Sequence, residues 1–145
     1  MSNELYWVDK NVKKPSILCN SCALARNGLI AQTGIHLDLF SQLKDAEALD
    51  AGFVTYYYNE NIDYDNYVTP MKTNSNLLLP TRERALVEYL LLEKWCDEGT
   101  LIEALKTYKL LEGVYDRLYE VADFYKLPRE TLDYWIHEAE TDEEV

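Results

Sequence analysis

A chain of 145 residues is long enough to bury a sizeable core as one domain, and its 48% apolar content excludes general disorder. A formal net charge of -12 opposes the phosphate neutralisation on which broad nucleic-acid binding depends, and suits a basic protein partner better. The acidity is graded: residues 1–34 balance at +2, residues 35–80 at -5 and residues 81–145 at -9.

The opening "MSNELYWVD" has an early acid and no long apolar run, so neither a signal peptide nor a membrane span is expected, and three cysteines fit a reduced, cytoplasmic chain. After an extended "LYWV", the run "NSCALARNGLIAQTG" predicts a short helix carrying Ala23, Leu24, Leu29 and Ile30, with Asn20 or Ser21 as N-cap. "IHLDLF" alternates Ile35, Leu37 and Leu39 with His36 and Asp38, the pattern of a strand with one wet face. "FVTYYYN" is rich in β-branched and aromatic residues and predicts a second strand. "IDYDNYVTPM" and "NLLL" read as further strands, Pro70 placing the former at an edge or an end.

From Pro80 onward the pattern is helical. "TRERALVEYLLLEKWC" has Thr81 as a possible N-cap and an apolar stripe of Leu86, Tyr89, Leu90, Leu92 and Trp95. "TLIEALKTYKLLEG" opens with Thr100 and Glu103 at capping-box spacing and ends at Gly113. "VYDRLYEVADFYK" sets Val114, Leu118, Val121 and Tyr125 on one face, and "PRETLDYWIHEAE" begins with Pro128 at its first helical position. The sum is an α+β fold: a small N-terminal mixed sheet with one early helix, followed by a C-terminal bundle of about four helices. Residues 1–145 are expected to form a single domain, sheet-rich over 1–80 and helical over 81–140, with a frayed acidic tail over 141–145.

Few residues suggest catalysis. Cys19 and Cys22 form a C-x-x-C at a helix start, where a redox thiolate would be stabilised, but no alternation of strand and helix surrounds them as in thioredoxin-like folds. Cys96, His36 and His137 are isolated, whereas a zinc site needs a second close pair. Neither a P-loop, a G-x-G-x-x-G nor an H-E-x-x-H occurs, so no enzyme, cofactor or metal is predicted. In "TYYYNENIDYDNY", strand alternation separates Tyr57 from Tyr56 and Tyr58, giving an aromatic face that either packs on the sheet or anchors a protein partner. Neighbouring Glu60, Asp63 and Asp65 disfavour stacking on nucleic acid.

Two motifs in order resemble a family. "SCALARNGLIAQTG" resembles the S-A-L-x-x-x-G-L segment, and "LLLPTRERALVEYLL" the T/S-P-E-R-A-L segment, of the AbiEi-like type IV antitoxins of abortive-infection toxin-antitoxin systems. The resemblance spans roughly residues 15–140. It implies a phage-defence protein that counters a nucleotidyltransferase-like toxin, commonly without a tight stoichiometric complex. Family members typically carry an N-terminal winged helix; with about 15 residues before the first motif, the expectation is the antitoxin core without that domain. Arg82 departs from the proline or small residue more usual before the Glu-Arg pair.

Within the second motif, Glu83 complements the helix dipole and Arg84 can pair with Glu88 one turn on. Arg84, Glu88, Tyr57, Asp133 and Glu138 are the candidate partner-binding residues, for a nucleotidyltransferase-like toxin or another basic protein. "LYEVADFYKLPRETLDYWI" also has the rhythm of a helix-turn-helix, with Lys126 and Arg129 as phosphate contacts, and so of a transcription regulator. Asp123, Glu130, Asp133, Glu138 and Glu140 crowd those cations, while Leu118, Val121, Leu127, Leu132 and Ile136 are better explained as the seam of a bundle. A third reading is an acidic nucleic-acid mimic that inhibits a basic enzyme.

Overall fold

The computed structural model describes residues 16–31, 37–41, 54–58, 62–70, 76–91 and 97–142. The protein is α+β, with five strands and five helices among these residues. The expectations for "LYWV", Ile35, His36, Leu92, Trp95, Cys96 and the last three residues lie outside them.

β1 (Ser16–Leu18) is the central strand of a mixed sheet ordered β3-β2-β1-β5-β4. It runs antiparallel to β2 (Leu37–Ser41), with Leu18 opposite Leu39, and parallel to β5 (Leu77–Pro80), with Ser16 opposite Leu77. β3 (Val54–Tyr58) lies parallel to β2 at one edge, and β4 (Val68–Pro70) antiparallel to β5 at the other. Pro70 therefore ends an edge strand, a position proline tolerates. Alternation sends Leu18, Leu39 and Leu77 into the main core and Ile17 to the opposite face, where Ile62, Tyr64, Val68 and Leu78 cover it.

Two sheet expectations need correction. The strand expected from "IDYDNYVTPM" is confined to Val68–Pro70, because Asp63 Oδ1 accepts the N–H groups of Asp65 (2.9 Å) and Asn66 (3.2 Å) and curls the backbone into a turn. The wet face expected of β2 fails at Asp38, which is buried and bound by Asn20 Nδ2 at 2.9 Å.

That hydrogen bond also bears on the start of α1 (Asn20–Arg26). Cys19 is the N-cap and its side chain makes no capping bond, so neither Asn20 nor Ser21 plays the predicted part. Asn20 sits at φ +59°, a conformation asparagine tolerates, with its amide directed at Asp38.

The helix expected to carry Leu29 and Ile30 ends at Arg26, before both, whereas the helices after Pro80 follow the apolar periodicity more closely. Thr81 caps α2 (Arg82–Leu91), its Oγ1 accepting from Arg84 N at 3.2 Å, and Leu86, Tyr89 and Leu90 are buried. α3 (Glu98–Glu112) begins before the predicted Thr100, because Asp97 accepts both the N–H (2.9 Å) and the hydroxyl (2.7 Å) of Thr100. Gly113 ends α3 at φ +81°, donating to Lys109 O at 2.8 Å. Val114 then falls in the turn, exposed, and Tyr115 takes the inner place by stacking on Tyr108 at 6.0 Å.

α4 (Asp116–Phe124) and α5 (Arg129–Thr141) form the last pair. Pro128 is the N-cap of α5 rather than its first helical residue. Leu118, Val121, Leu127, Leu132 and Ile136 are all buried, as the seam requires. One apolar cluster contains these residues together with Leu18, Leu39 and Leu77 of the sheet, so strands and bundle share a core.

Candidate functional site

The second motif supplies the most unusual chemistry of the interior. Arg84 sits one turn into α2, and with Ala85, Leu86 and Val87 packed around the same stretch its guanidinium is carried inside, 1% exposed. Nη2 meets Glu88 Oε2 at 3.2 Å, which realises the predicted i,i+4 pair, and Nη1 donates to Asn66 O at 2.7 Å. The guanidinium also lies 5.3 Å from the centre of the Tyr125 ring. Tyr125 in turn donates its hydroxyl to Asp63 Oδ2 at 2.9 Å. Three elements meet at this clasp: α2, the 62–67 loop and the α4–α5 turn.

Its electrostatics are divided. Burial pushes the Glu88 carboxyl up, and the nearby Asp63 charge adds to this, against the opposing pull of Arg84. For Asp63 burial works the same way, but N–H donors from Asp65 and Asn66 and the Tyr125 hydroxyl outweigh it and hold the carboxyl below its ordinary value. Arg84 Nε and Glu88 Oε1 have no hydrogen-bond partner among the described residues. A buried ion pair with unsatisfied corners is weak as a source of stability and strong as a positional constraint. Arg84 and Glu88 were expected to offer a partner a charged contact; their charged groups instead face the molecule's own loop. Asp63, Asn66 and Tyr125 complete the clasp and were not singled out for it, though an Asp three residues before an Asn is a legible turn signal.

A second arginine-tyrosine-aspartate arrangement lies on the surface between α4 and α5. Arg129 Nε and Nη2 reach Asp123 Oδ1 and Oδ2 at 3.2 and 2.7 Å, and its guanidinium stands 5.1 Å from the Tyr119 ring centre. Tyr119 donates to Asp133, and burial, then that carboxylate, pushes the Tyr119 hydroxyl up to about 12. The Arg129 bond holds Asp123 below the usual carboxylate range. Arg129 is thus already engaged, leaving Lys126 as the other cation of the turn and little support for phosphate contacts by a recognition helix. On the outward side of α5, Glu130, Asp133, Tyr134, His137 and Glu140 are exposed at helical spacing, while Glu138 is half-buried at the margin.

The remaining candidates are dispersed. Tyr57 stands in edge strand β3 opposite Phe40, and its side chain lies outside the described residues. Cys19 and Cys22 are both buried, and Cys22 Sγ donates to Cys19 O at 2.9 Å. Burial, the largest influence, pushes the Cys22 thiol up to about 12, so it carries no reactive thiolate at neutral pH. Among the described residues no three His, Cys, Asp or Glu side chains converge as a metal site, and no helix is long and apolar enough to cross a membrane. No protein-family model matches the sequence, and no curated protein matches it significantly.

Proposed function

We propose that this chain is a cytoplasmic, non-enzymatic protein of the antitoxin type that counters a nucleotidyltransferase-like toxin of a defence module, acting through the outward face of α5. The observation that carries the reading is that face itself: Glu130, Asp133 and Glu140 are exposed on the same helix as Tyr134, which is 54% exposed, while the nearby Arg129 is bound to Asp123. An exposed tyrosine on a helix that also bares carboxylates suits a basic protein surface, with charge steering the approach and the tyrosine giving the contact an apolar anchor. An enzyme that handles nucleoside triphosphates and nucleic acid needs such cations around its cleft, so an acidic helix can occupy or shield them. The two ordered motifs of the sequence support the same assignment.

The test is co-expression with a nucleotidyltransferase toxin encoded beside this gene. Wild-type chain is expected to restore growth, and a folded Glu130→Lys/Glu140→Lys variant to restore it poorly. Absence of rescue by the wild type, or undiminished rescue by the variant, refutes the reading.

A further inference from the structure

We infer that the corner where α3 meets α4 docks on the outward face of α5 in a second copy of this chain. Leu110, Leu111 and Val114 at that corner are 85%, 50% and 56% exposed, neighbouring aliphatic side chains bared around one helix end. The other apolar positions of α3, Leu101, Ala104, Leu105 and Tyr108, are buried, so the helix has already met its own core and carries this surface in addition.

Charge says what covers it. Lys109 and Arg117 flank the three aliphatic residues, are exposed, and enter no ion pair among the described residues, whereas Arg82, Lys106 and Arg129 are each held by a carboxylate. The Lys109 ammonium rests 5.0 Å from the Tyr115 ring centre, which fixes its place beside the patch and leaves its charge open to a partner. Two copies of a chain with net charge -12 repel over most of their surfaces. Where unpaired cations on one copy face carboxylates on the other, the sign reverses. The α5 face supplies the complement, with Tyr134 to meet the aliphatic groups and Glu130 and Glu140 to meet Lys109 and Arg117. Three aliphatic side chains fall well short of the roughly 800 Å² per partner of a stable interface, so the association is weak and governed by charge. It requires no foreign partner and does not rest on the toxin reading, although a toxin bound at α5 would compete with it.

Sedimentation equilibrium of the purified full chain tests the proposal. Concentration-dependent self-association is expected at low salt, with the dissociation constant rising about tenfold or more at high salt as the charges are screened. Leu110→Glu abolishes it, and so, separately, do Lys109→Glu/Arg117→Glu and Glu130→Lys/Glu140→Lys, all at exposed positions where circular dichroism confirms an intact fold. Mixing the last two variants restores association, because the unaltered corner of one meets the unaltered α5 face of the other. A chain that stays monomeric at all concentrations, association that survives either charge reversal, or a mixture that stays monomeric overturns the proposal. Leu110→Glu leaves the α5 face intact, so toxin rescue by this variant separates failure of self-docking from failure of the antitoxin reading.

Discussion

The molecule contains the same three-part arrangement twice, once inside and once outside. In each, an arginine lies over a tyrosine ring and pairs with a carboxylate, while the tyrosine hydroxyl donates to an aspartate: Arg84, Glu88, Tyr125 and Asp63 in the clasp, Arg129, Asp123, Tyr119 and Asp133 on the surface. The surface version has the better ionic geometry, two donors on two oxygens against one, yet water screens it. The buried version leaves Arg84 Nε and Glu88 Oε1 unsatisfied and still fixes three elements relative to one another. Hydrogen-bond quality and structural consequence are therefore uncoupled here; burial sets the consequence.

The largest expected effect is that of Arg84→Met. It strands Glu88 without its cation and frees the 62–67 loop, and loss of one partner from a buried pair costs about 3–5 kcal/mol. Urea denaturation should show that loss, and the double variant Arg84→Met/Glu88→Leu should recover most of it, since two apolar side chains carry no desolvation penalty. A double variant no more stable than the single one would mean that the clasp is held by Asn66 and Tyr125 rather than by the ion pair. Next in size comes Tyr125→Phe, which removes the hydroxyl from Asp63 and is expected to destabilise by about 1 kcal/mol. Tyr119→Phe, at the more solvated site, should cost less; equal losses would contradict the primacy of burial.

The two carboxylates of the clasp also have opposite pH signatures. Glu88 titrates in the folded state above its reference value of 4.5, so the stability tied to its protonated form is complete below that pH and falls as pH rises through the elevated folded value. Asp63 titrates below its reference of 3.8, so its contribution is complete above that pH and is lost as pH falls through the depressed folded value. Glu88→Gln should consequently gain on the wild type as pH is raised from 4.5, and Asp63→Asn should abolish part of the wild type's loss in stronger acid. Stability curves for Glu88→Gln and wild type that run parallel above pH 4.5 would rule out the first effect.

How much of this was legible depends on range. The helical faces could be read because each residue's burial is repeated every three or four positions: Leu118, Val121, Leu132 and Ile136 define a seam without knowledge of what lies across it. The Arg84–Glu88 pair was legible for the same reason, being local. That the pair is buried was not, because Asn66 O and the Tyr125 ring reach Arg84 from distant positions in the chain. β1, only three residues long, is too short for alternation to declare itself, although it occupies the centre of the sheet. In "IDYDNY" the strand propensity of Ile62, Tyr64 and Tyr67 yielded to one side chain, Asp63, that captures two backbone N–H groups. α1 shows the converse failure, an expected cap displaced because Asn20 is drawn to Asp38 across the fold.

The smallest expected effect is the most demanding test of the comparison. Arg129→Ala removes a guanidinium whose contacts, counted on distance alone, match those of Arg84: two polar contacts at 3.2 and 2.7 Å and a tyrosine ring. If interaction geometry governed stability, its unfolding midpoint would fall at least as far as that of Arg84→Met. Arg129 and Asp123 are both exposed, however, so water replaces each lost bond and neither charge is left stranded. The expected shift is therefore several-fold smaller than for Arg84→Met and shrinks further in high salt, whereas the Arg84→Met deficit is nearly salt-independent because the stranded Glu88 lies where counterions do not reach. Thermal unfolding of both variants at low and high salt makes the distinction, and a salt-sensitive Arg84 effect would show that the clasp is open to solvent.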